Sequence, residues 1–321
     1  MSDVTYRARG HREGAGRGGH SGPVAARPWS EAWQEALYGP DGFFQRSLPL
    51  EHYRTSVANP LFARAVRVLA GRVDDALGRP DPFDVVDLGA GGGELLQALP
   101  DVPGRWRLTG VDLRPGPAGL RWAGEVPALT GLLLANEWLD AVPLDVVEDG
   151  RLVLVAADGT EQPGAPVTTP WADRWWPQAP GPGRRVELGA PRDRAWAAAV
   201  ARVHRGLAVA VDYAQPPVRQ ATLTGYRGGR QVAAVPDGSC DLTAHVTVES
   251  CAATTGARVL RQADALRALG VTARLPAPGS PSYARLLQEA SQARELLAPD
   301  GLGAFVWLVQ DVGLPAGSMV W

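Results

Sequence analysis

Apolar residues fall along this chain in two recurring patterns, helical spacing and short continuous runs, and their alternation predicts an α/β protein. Residues 30–38 read as a short helix with Ser30 as cap, Glu31 and Glu35 in its first turns and Gly39-Pro40 as its stop. Asn59-Pro60 opens a second helix running to about Leu77, with Phe62, Val66 and Leu69 on one face. The linker Gly78-Arg79-Pro80-Asp81-Pro82 then leads to a first core strand at Val85-Val86-Asp87-Leu88. Residues 106–112, 131–136 and 206–213 are further strands, the last two being the uninterrupted apolar runs of a sheet covered on both faces. Residues 242–255 and 281–296 read as helices and 303–309 as a final strand. The order is that of a doubly wound, Rossmann-like sheet over residues 81–321, with a helical cap region over 29–80. Residues 145–190 interrupt it: Arg151 to Val155 reads as a strand, but 169–183 is Trp- and Pro-rich without period. We expect a small inserted subdomain there, with Trp171, Trp175 and Trp176 filling its local core.

The first core strand runs into Gly89-Ala90-Gly91-Gly92-Gly93-Glu94. Glycines at 89, 91 and 93 let the chain reverse tightly and let backbone amides meet a ligand. A dinucleotide fingerprint, Gly-x-Gly-x-x-Gly, requires its third glycine where Glu94 stands. A carboxylate there opposes a diphosphate but not S-adenosylmethionine, which lacks phosphate and carries a sulfonium cation, so the local reading is a methyltransferase. Asp112 ends the next strand about twenty residues on, where an acid is expected to accept from ribose hydroxyls. Its alternative role is to cap the turn Arg114-Pro115-Gly116-Pro117. Asp87 sits beneath the cofactor's methionine end on this reading. Strand ends at Asn136, Glu137, Asp212 and Tyr213 converge on the same crevice, because ligands bind outside the carboxyl ends of such strands.

Composition narrows the setting. A chain of 321 residues, 45% hydrophobic, buries one large core or two modest ones. The net charge of -2 gives no basic field for nucleic acid. Residues 1–28 are rich in Gly and Arg, lack a hydrophobic segment and are expected to be a disordered tail. No apolar run is long enough to span a membrane. Cys240 and Cys251 show no metal-binding spacing, and a reduced, cytoplasmic setting suits them.

Several segments carry a family resemblance. Ala135-Asn136-Glu137-Trp138-Leu139-Asp140-Ala141-Val142-Pro143 resembles the Asn-Glu-Phe-Phe-Asp-Ala-Leu-Pro motif of MidA-like S-adenosylmethionine-dependent methyltransferases, the family of the mitochondrial complex I assembly arginine methyltransferase. Val211-Asp212-Tyr213 is similar to the family's Ile-Asp-Tyr-Gly. Thr222-Leu223, Tyr226-Arg227-Gly228 and residues 241–246 are similar to its downstream signature, and Asp41-Gly42-Phe43-Phe44 and Thr55-Ser56 to its N-terminal segment. The chain departs from the family pattern at Val57, Ala214 and Gly229.

The resemblance, over roughly residues 41–311, implies a class I methyltransferase that N-methylates arginine in a protein substrate. Glu137 and Asp140, placed on one face of a helical turn, are expected to hold the guanidinium while Asn136 orients the attacking nitrogen. Their alternative role is to cap that helix. The cofactor residues on this reading are Asp87, Gly89, Gly91, Gly93, Asp112 and Asn136, and the substrate residues are Asp212, Tyr213, Tyr226, Arg227 and His245. His245 is read as a hydrogen-bonded residue before a base. A methyltransferase for a small metabolite and a non-catalytic assembly factor are the competing functions, the latter disfavoured by the intact glycine turn and its acids.

Overall fold

The computed structural model describes residues 26–46, 55–176, 182–315 and 321. In chain order the elements are β1 (Arg27–Pro28), α1 (Trp29–Tyr38), α2 (Phe43–Arg46), α3 (Pro60–Ala76), β2 (Phe83–Leu88), α4 (Glu94–Ala98), β3 (Trp106–Val111), β4 (Arg121–Ala123) and β5 (Leu129–Asn136). An excursion from the sheet follows as β6 (Val146–Glu148), β7 (Arg151–Val155), β8 (Glu161–Pro166), α5 (Pro170–Trp175) and β9 (Arg185–Glu187). Helix α6 (Ala190–Val200) returns the chain to β10 (Val203–Asp212), and β11 (Thr224–Arg227), β12 (Arg230–Val232) and β13 (Asp241–Thr243) come next. The chain closes with α7 (Val248–Thr255), β14 (Arg258–Arg261), α8 (Gln262–Ala268), α9 (Tyr283–Leu297) and β15 (Val306–Val312).

The main sheet has seven strands in the order β14-β15-β10-β5-β2-β3-β4. Strands β10, β5, β2, β3 and β4 pair in parallel, while β15 pairs antiparallel with both β10 and β14. The sheet is therefore mixed rather than wholly parallel, because β15 inserts between β10 and β14. The uninterrupted apolar runs follow from burial on both faces. Val85, Leu132, Leu207 and Val209 join one core with Phe62, Val66 and Leu69 of α3, whereas Val86, Leu133, Ala208 and Ala210 join a second core with Trp196 of α6 and Cys251 of α7. Successive residues of each strand thus alternate between two cores, as the two-residue period of a pleated strand requires.

The excursion joins β1 in a separate five-stranded sheet, β1-β7-β6-β9 with β8 on β7. Trp29, Trp33 and Leu37 of α1 pack on Val146, Val153 and Val155 of that sheet, and Trp176 lies in a small core with Val147, Ala172 and Val186. Trp171 donates from Nε1 to Asp193 at 2.7 Å. Arg27 and Pro28, expected to belong to the tail, pair with β7, and residues 1–25 of that tail lie outside the described residues. A third sheet, β12-β11-β13, stands beyond the end of β10.

Local readings shift where tertiary partners intervene. Helix α1 begins at Trp29, and Ser30 makes no side-chain cap; its backbone amide instead donates to Asp145 Oδ1 at 3.0 Å. Residues 242–255 divide between β13 and α7, since Leu242 and Thr243 pair with β11. The last strand starts at Val306 because a 3₁₀ turn occupies residues 302–304. Asn59 caps α3 as its sequence predicts, accepting from Leu61 N at 3.1 Å ahead of Pro60.

Phe62 is 0% exposed and meets Trp307 of β15 edge-on, with ring centroids 6.2 Å apart. Phe62→Ala removes a ring spanning helix and sheet and is expected to cost about 3–5 kcal/mol, measured as a fall in the urea midpoint with an unchanged slope. A loss below about 1 kcal/mol shows that α3 is not integral to the core.

Candidate functional site

Strand order reverses between β2 and β5, and the carboxyl ends of those strands open a cleft. Gly89 and Ala90 donate their backbone amides to Val111 O at 2.9 and 3.2 Å, which ties the glycine turn to the end of β3. Gly91 has φ 58 and donates its amide to Asp112 Oδ2 at 3.0 Å. Gly93 has φ 82, and a Cβ there lies 2.9 Å from Leu120 Cδ1, so its glycine serves the close packing of the turn. Glu94 folds back so that its Oε2 accepts from Gly92 N at 2.9 Å. Asp112 does two jobs, since its Oδ1 also accepts from Arg114 N at 3.1 Å in the turn that follows β3.

Thr55, Asp87, Gly91, Glu94, Asn136 and Glu137 line this cleft. Burial first, then the charges of Glu94 and Asp112, push the Asp87 carboxyl from its ordinary 3.8 to about 8. Glu137 is likewise pushed up to about 7, principally by burial and further by Asp140, against hydrogen bonds that favour its charged form. Those bonds converge on Oε1: Thr55 Oγ1 donates at 2.6 Å, Asn136 Nδ2 at 2.8 Å and Ser56 N at 3.2 Å. Asn136 Oδ1 is buried and lacks a hydrogen-bond partner. The cleft thus presents several carboxyls and an unused acceptor, a set complementary to a cation or to N–H donors.

A larger cavity of ≈ 250 Å³ adjoins it, lined among others by Asp140, Tyr213, Thr222, Tyr226, Thr243 and His245. Thr243 Oγ1 donates to Asp140 Oδ2 at 2.8 Å, while Asp140 Oδ1 is buried without a partner. Burial pushes the Asp140 carboxyl up. Burial also pushes the Tyr213 phenol up, so it stays protonated, and its hydroxyl donates to Glu137 Oε2 at 3.4 Å. Tyr213 therefore links the cavity it lines to the cleft-lining Glu137. Its ring stacks on His245 at 5.9 Å. His245 Nδ1 lies 3.1 Å from Ala214 O, so Nδ1 carries the hydrogen, and burial lowers the ring's basicity.

The stretch after β5 forms a turn and no helix, with Glu137 at φ 51 and Val142 N bonded to Leu139 O at 3.2 Å. The expected shared helical face for Glu137 and Asp140 is absent as a consequence. Glu137 faces the cleft and Asp140 the cavity. Asp212, 1% exposed, shapes this turn: its Oδ2 accepts from Leu139 N at 2.9 Å and Asp140 N at 3.2 Å. It lines neither space, and Arg227 is exposed on β11. The buried guanidinium of Arg192 donates to four backbone carbonyls, Asp140 at 2.5 Å, Ala244 at 2.8 Å, His245 at 3.0 Å and Val142 at 3.1 Å, and so joins the turn to the segment carrying His245.

Sequence reasoning passed over Thr55, Glu94, Thr222 and Thr243 as site residues. Thr55 and Thr222 stood within matched segments, and Glu94 was already conspicuous for replacing a glycine. Thr243 too stood within a matched segment, but only the pairing of β13 with β11 sets it beside the cavity. Among the described residues no cluster of His, Cys, Asp and Glu is arranged to hold a metal ion, and no helix is long and apolar enough to cross a membrane.

Residues 113–266 match a family model described as "Putative S-adenosyl-L-methionine-dependent methyltransferase". The structure is similar to that of a COG1565 superfamily member from Burkholderia thailandensis bound to S-adenosyl-homocysteine, with TM-score 0.75 and 23% identity over 90% of this chain and 89% of that one. A native crystal structure of a COG1565 superfamily protein from the same organism gives TM-score 0.72 and 24% identity over 92% and 90% of the two chains. No curated protein sequence matches the chain. The Rossmann-like α/β fold is thereby shared with these two proteins across nearly their whole length.

The cleft carboxyls also set a pH dependence of folding. Asp87 ionises at about 8 in the folded chain against 3.8 ordinarily, and Glu137 at about 7 against 4.5. A raised acid binds its proton more tightly in the folded state, so its stabilisation is complete below the ordinary value and lost as pH rises through the folded one. The apoprotein is expected to melt at a lower temperature at pH 8.5, above both folded values, than at pH 5.5, below both of them. Asp87→Asn should flatten that slope in calorimetry, and an equal slope in the variant assigns the effect elsewhere.

Proposed function

We propose that this protein is an S-adenosyl-L-methionine-dependent methyltransferase that transfers the methyl group to the guanidinium of an arginine in a protein substrate. The observation that carries this reading is the hydrogen bond from Tyr213, which lines the ≈ 250 Å³ cavity, to Glu137, which lines the glycine-turn cleft. A donor site and an acceptor site then meet at one pair of side chains. The matched family description and the S-adenosyl-homocysteine of the Burkholderia protein support the cofactor. So does the cleft chemistry. Glu94 opposes a diphosphate, and Asp87 and Glu137, whose buried carboxyls release their protons toward a cation, favour a ligand bearing sulfonium and ammonium groups. The backbone at Gly91 is open on its cleft side, a Cβ there meeting only Glu94 Oε2 at 3.4 Å.

The residues that would hold the cofactor are Asp87, Gly89, Gly91, Asp112 and Asn136, with Gly93 shaping the turn. When bound, it supplies an electrophilic methyl on a sulfonium, whose carbon–sulfur bond breaks as a nitrogen–carbon bond forms and leaves a neutral thioether. Glu137 commits Oε1 to three donors and keeps Oε2 toward Tyr213, so Oε2 takes the proton that the guanidinium nitrogen sheds. A carboxyl raised to about 7 is matched to that exchange near neutral pH. Asp140, with an unpartnered Oδ1, attracts the cationic head from the cavity side, and Tyr226 and His245 flank it. Exposed Arg227, next to cavity-lining Tyr226, offers an outer contact to a peptide chain.

Gly91→Val forces a β-branched residue into a left-handed conformation beside the ligand, and it should abolish S-adenosyl-homocysteine binding in calorimetry. Unchanged affinity removes the cleft from consideration.

Glu137→Gln and Asp140→Asn should each retain that affinity while lowering the methylation rate of an arginine peptide about 10²-fold or more. The wild-type rate should rise with pH through about 7 as Glu137 ionises, and the rise should vanish in Glu137→Gln. Normal rates in both variants overturn the roles of these acids. Methylation of free arginine in preference to the peptide favours the small-molecule reading.

A further inference from the structure

Glu187 ends β9 in the inserted subdomain and is 1% exposed, yet no step above uses it. Its Oε1 accepts from the backbone amides of Thr222 at 2.5 Å and Leu223 at 2.6 Å. Its Oε2 accepts from Thr222 Oγ1 at 2.8 Å and Gln215 Nε2 at 3.0 Å. One carboxylate therefore gathers four donors, and all come from the segment joining β10 to β11. Gln215 stands near the start of that segment and Thr222 and Leu223 at its end, while Gln220, Ala221 and Thr222 line the second cavity. The Thr222 hydroxyl gives its hydrogen to Glu187 and accepts from Gln215 Nε2 at 3.1 Å and His245 N at 2.9 Å, which uses all of its capacity. The same connection passes Arg219, whose Nε donates to Trp175 O in the insertion at 3.3 Å.

A buried carboxylate is costly unless hydrogen bonds satisfy it, and neighbouring Val186 meets only an apolar core, so packing alone gives no reason for an acid at this position. We infer that Glu187 is a positioning residue: it fixes residues 215–223 as one wall of the second cavity, and the inserted subdomain thereby sets how the methyl acceptor is held. The acceptor part of this inference rests on the function proposed above, whereas the fixing of the wall does not.

Glu187→Gln keeps the shape but sets an amide N–H₂ against one of the two donor pairs, the Thr222 and Leu223 amides or Thr222 Oγ1 with Gln215 Nε2. In this variant, hydrogen exchange across residues 215–223 should accelerate about tenfold or more, with exchange at the glycine turn unchanged. S-adenosyl-homocysteine affinity should stay within about twofold, and KM for N-acetyl-arginine methylamide should rise about tenfold at nearly constant kcat. Thr222→Val should behave like Glu187→Gln, while Thr222→Ser, which restores the hydroxyl, should return KM to within about threefold of wild type. Unchanged exchange in Glu187→Gln overturns the inference. A fall in kcat together with Tm at constant KM also overturns it, since that is the response of a merely structural residue. If the wild-type protein does not methylate this probe, the guanidinium reading fails, and loop exchange alone then decides whether Glu187 fixes the wall.

Discussion

The candidate site depends on one buried cation. Arg192 reaches from α6 between two stretches of chain that share no secondary structure, the turn after β5 and the residues after β13, and donates to carbonyls on both. Burial lowers the basicity of this guanidinium, and it is tolerable because its planar set of donors is met by fixed carbonyl dipoles and the nearby Asp140, Asp212 and Glu187 oppose the shift. Asp212 completes the arrangement by accepting the amides of Leu139 and Asp140 from the carboxyl end of the neighbouring strand β10. Together they hold Asp140, Tyr213 and His245 around one space. Neither residue enters that space, so their roles are architectural even though both are ionisable and deeply buried.

Charge in the cleft follows from where the chain brings its acids. Asp87 and Glu137 stand at or just beyond the ends of neighbouring parallel strands, Glu94 begins the helix after the glycine turn, and burial raises both strand-end carboxyls. Such a group is unfavourable to ionise until a cation arrives, so the apoprotein is poised to trade protons for a positively charged ligand. Backbone amides in the glycine turn are partly occupied by Asp112 and Glu94. These acids hold the turn in shape while adding to the negative field around it.

The inserted subdomain changes how the second cavity is understood. Its aromatic residues, Trp176 above all, serve its own small core. Its contribution to the site is instead made through polar atoms, Glu187 and the Trp175 carbonyl, which hold the connection from β10 to β11. An aromatic-rich insertion drew attention to its tryptophans, but the single acid at the end of its last strand reaches the cavity wall.

What the sequence determined by itself is local and periodic. Continuous apolar runs identified β2, β5 and β10, since a strand buried on both faces needs no polar alternation. The glycine spacing marked a turn that positive φ values at Gly89, Gly91 and Gly93 require, and Asn59-Pro60 marked the start of α3 to the residue. Tertiary structure decided everything that depends on partners distant in sequence. The antiparallel setting of β15 is invisible in its own residues, because a strand reads alike in either direction. Helical spacing placed Glu137 and Asp140 on one face, but Asp212, far along the chain, takes the backbone amides of residues 139 and 140 and holds a turn in which the two acids look into different spaces. Thr55, Thr243 and Glu187 acquire their roles only when folding sets them against Glu137, Asp140 and Thr222, since a hydrogen bond is a property of two groups and the sequence records them one at a time.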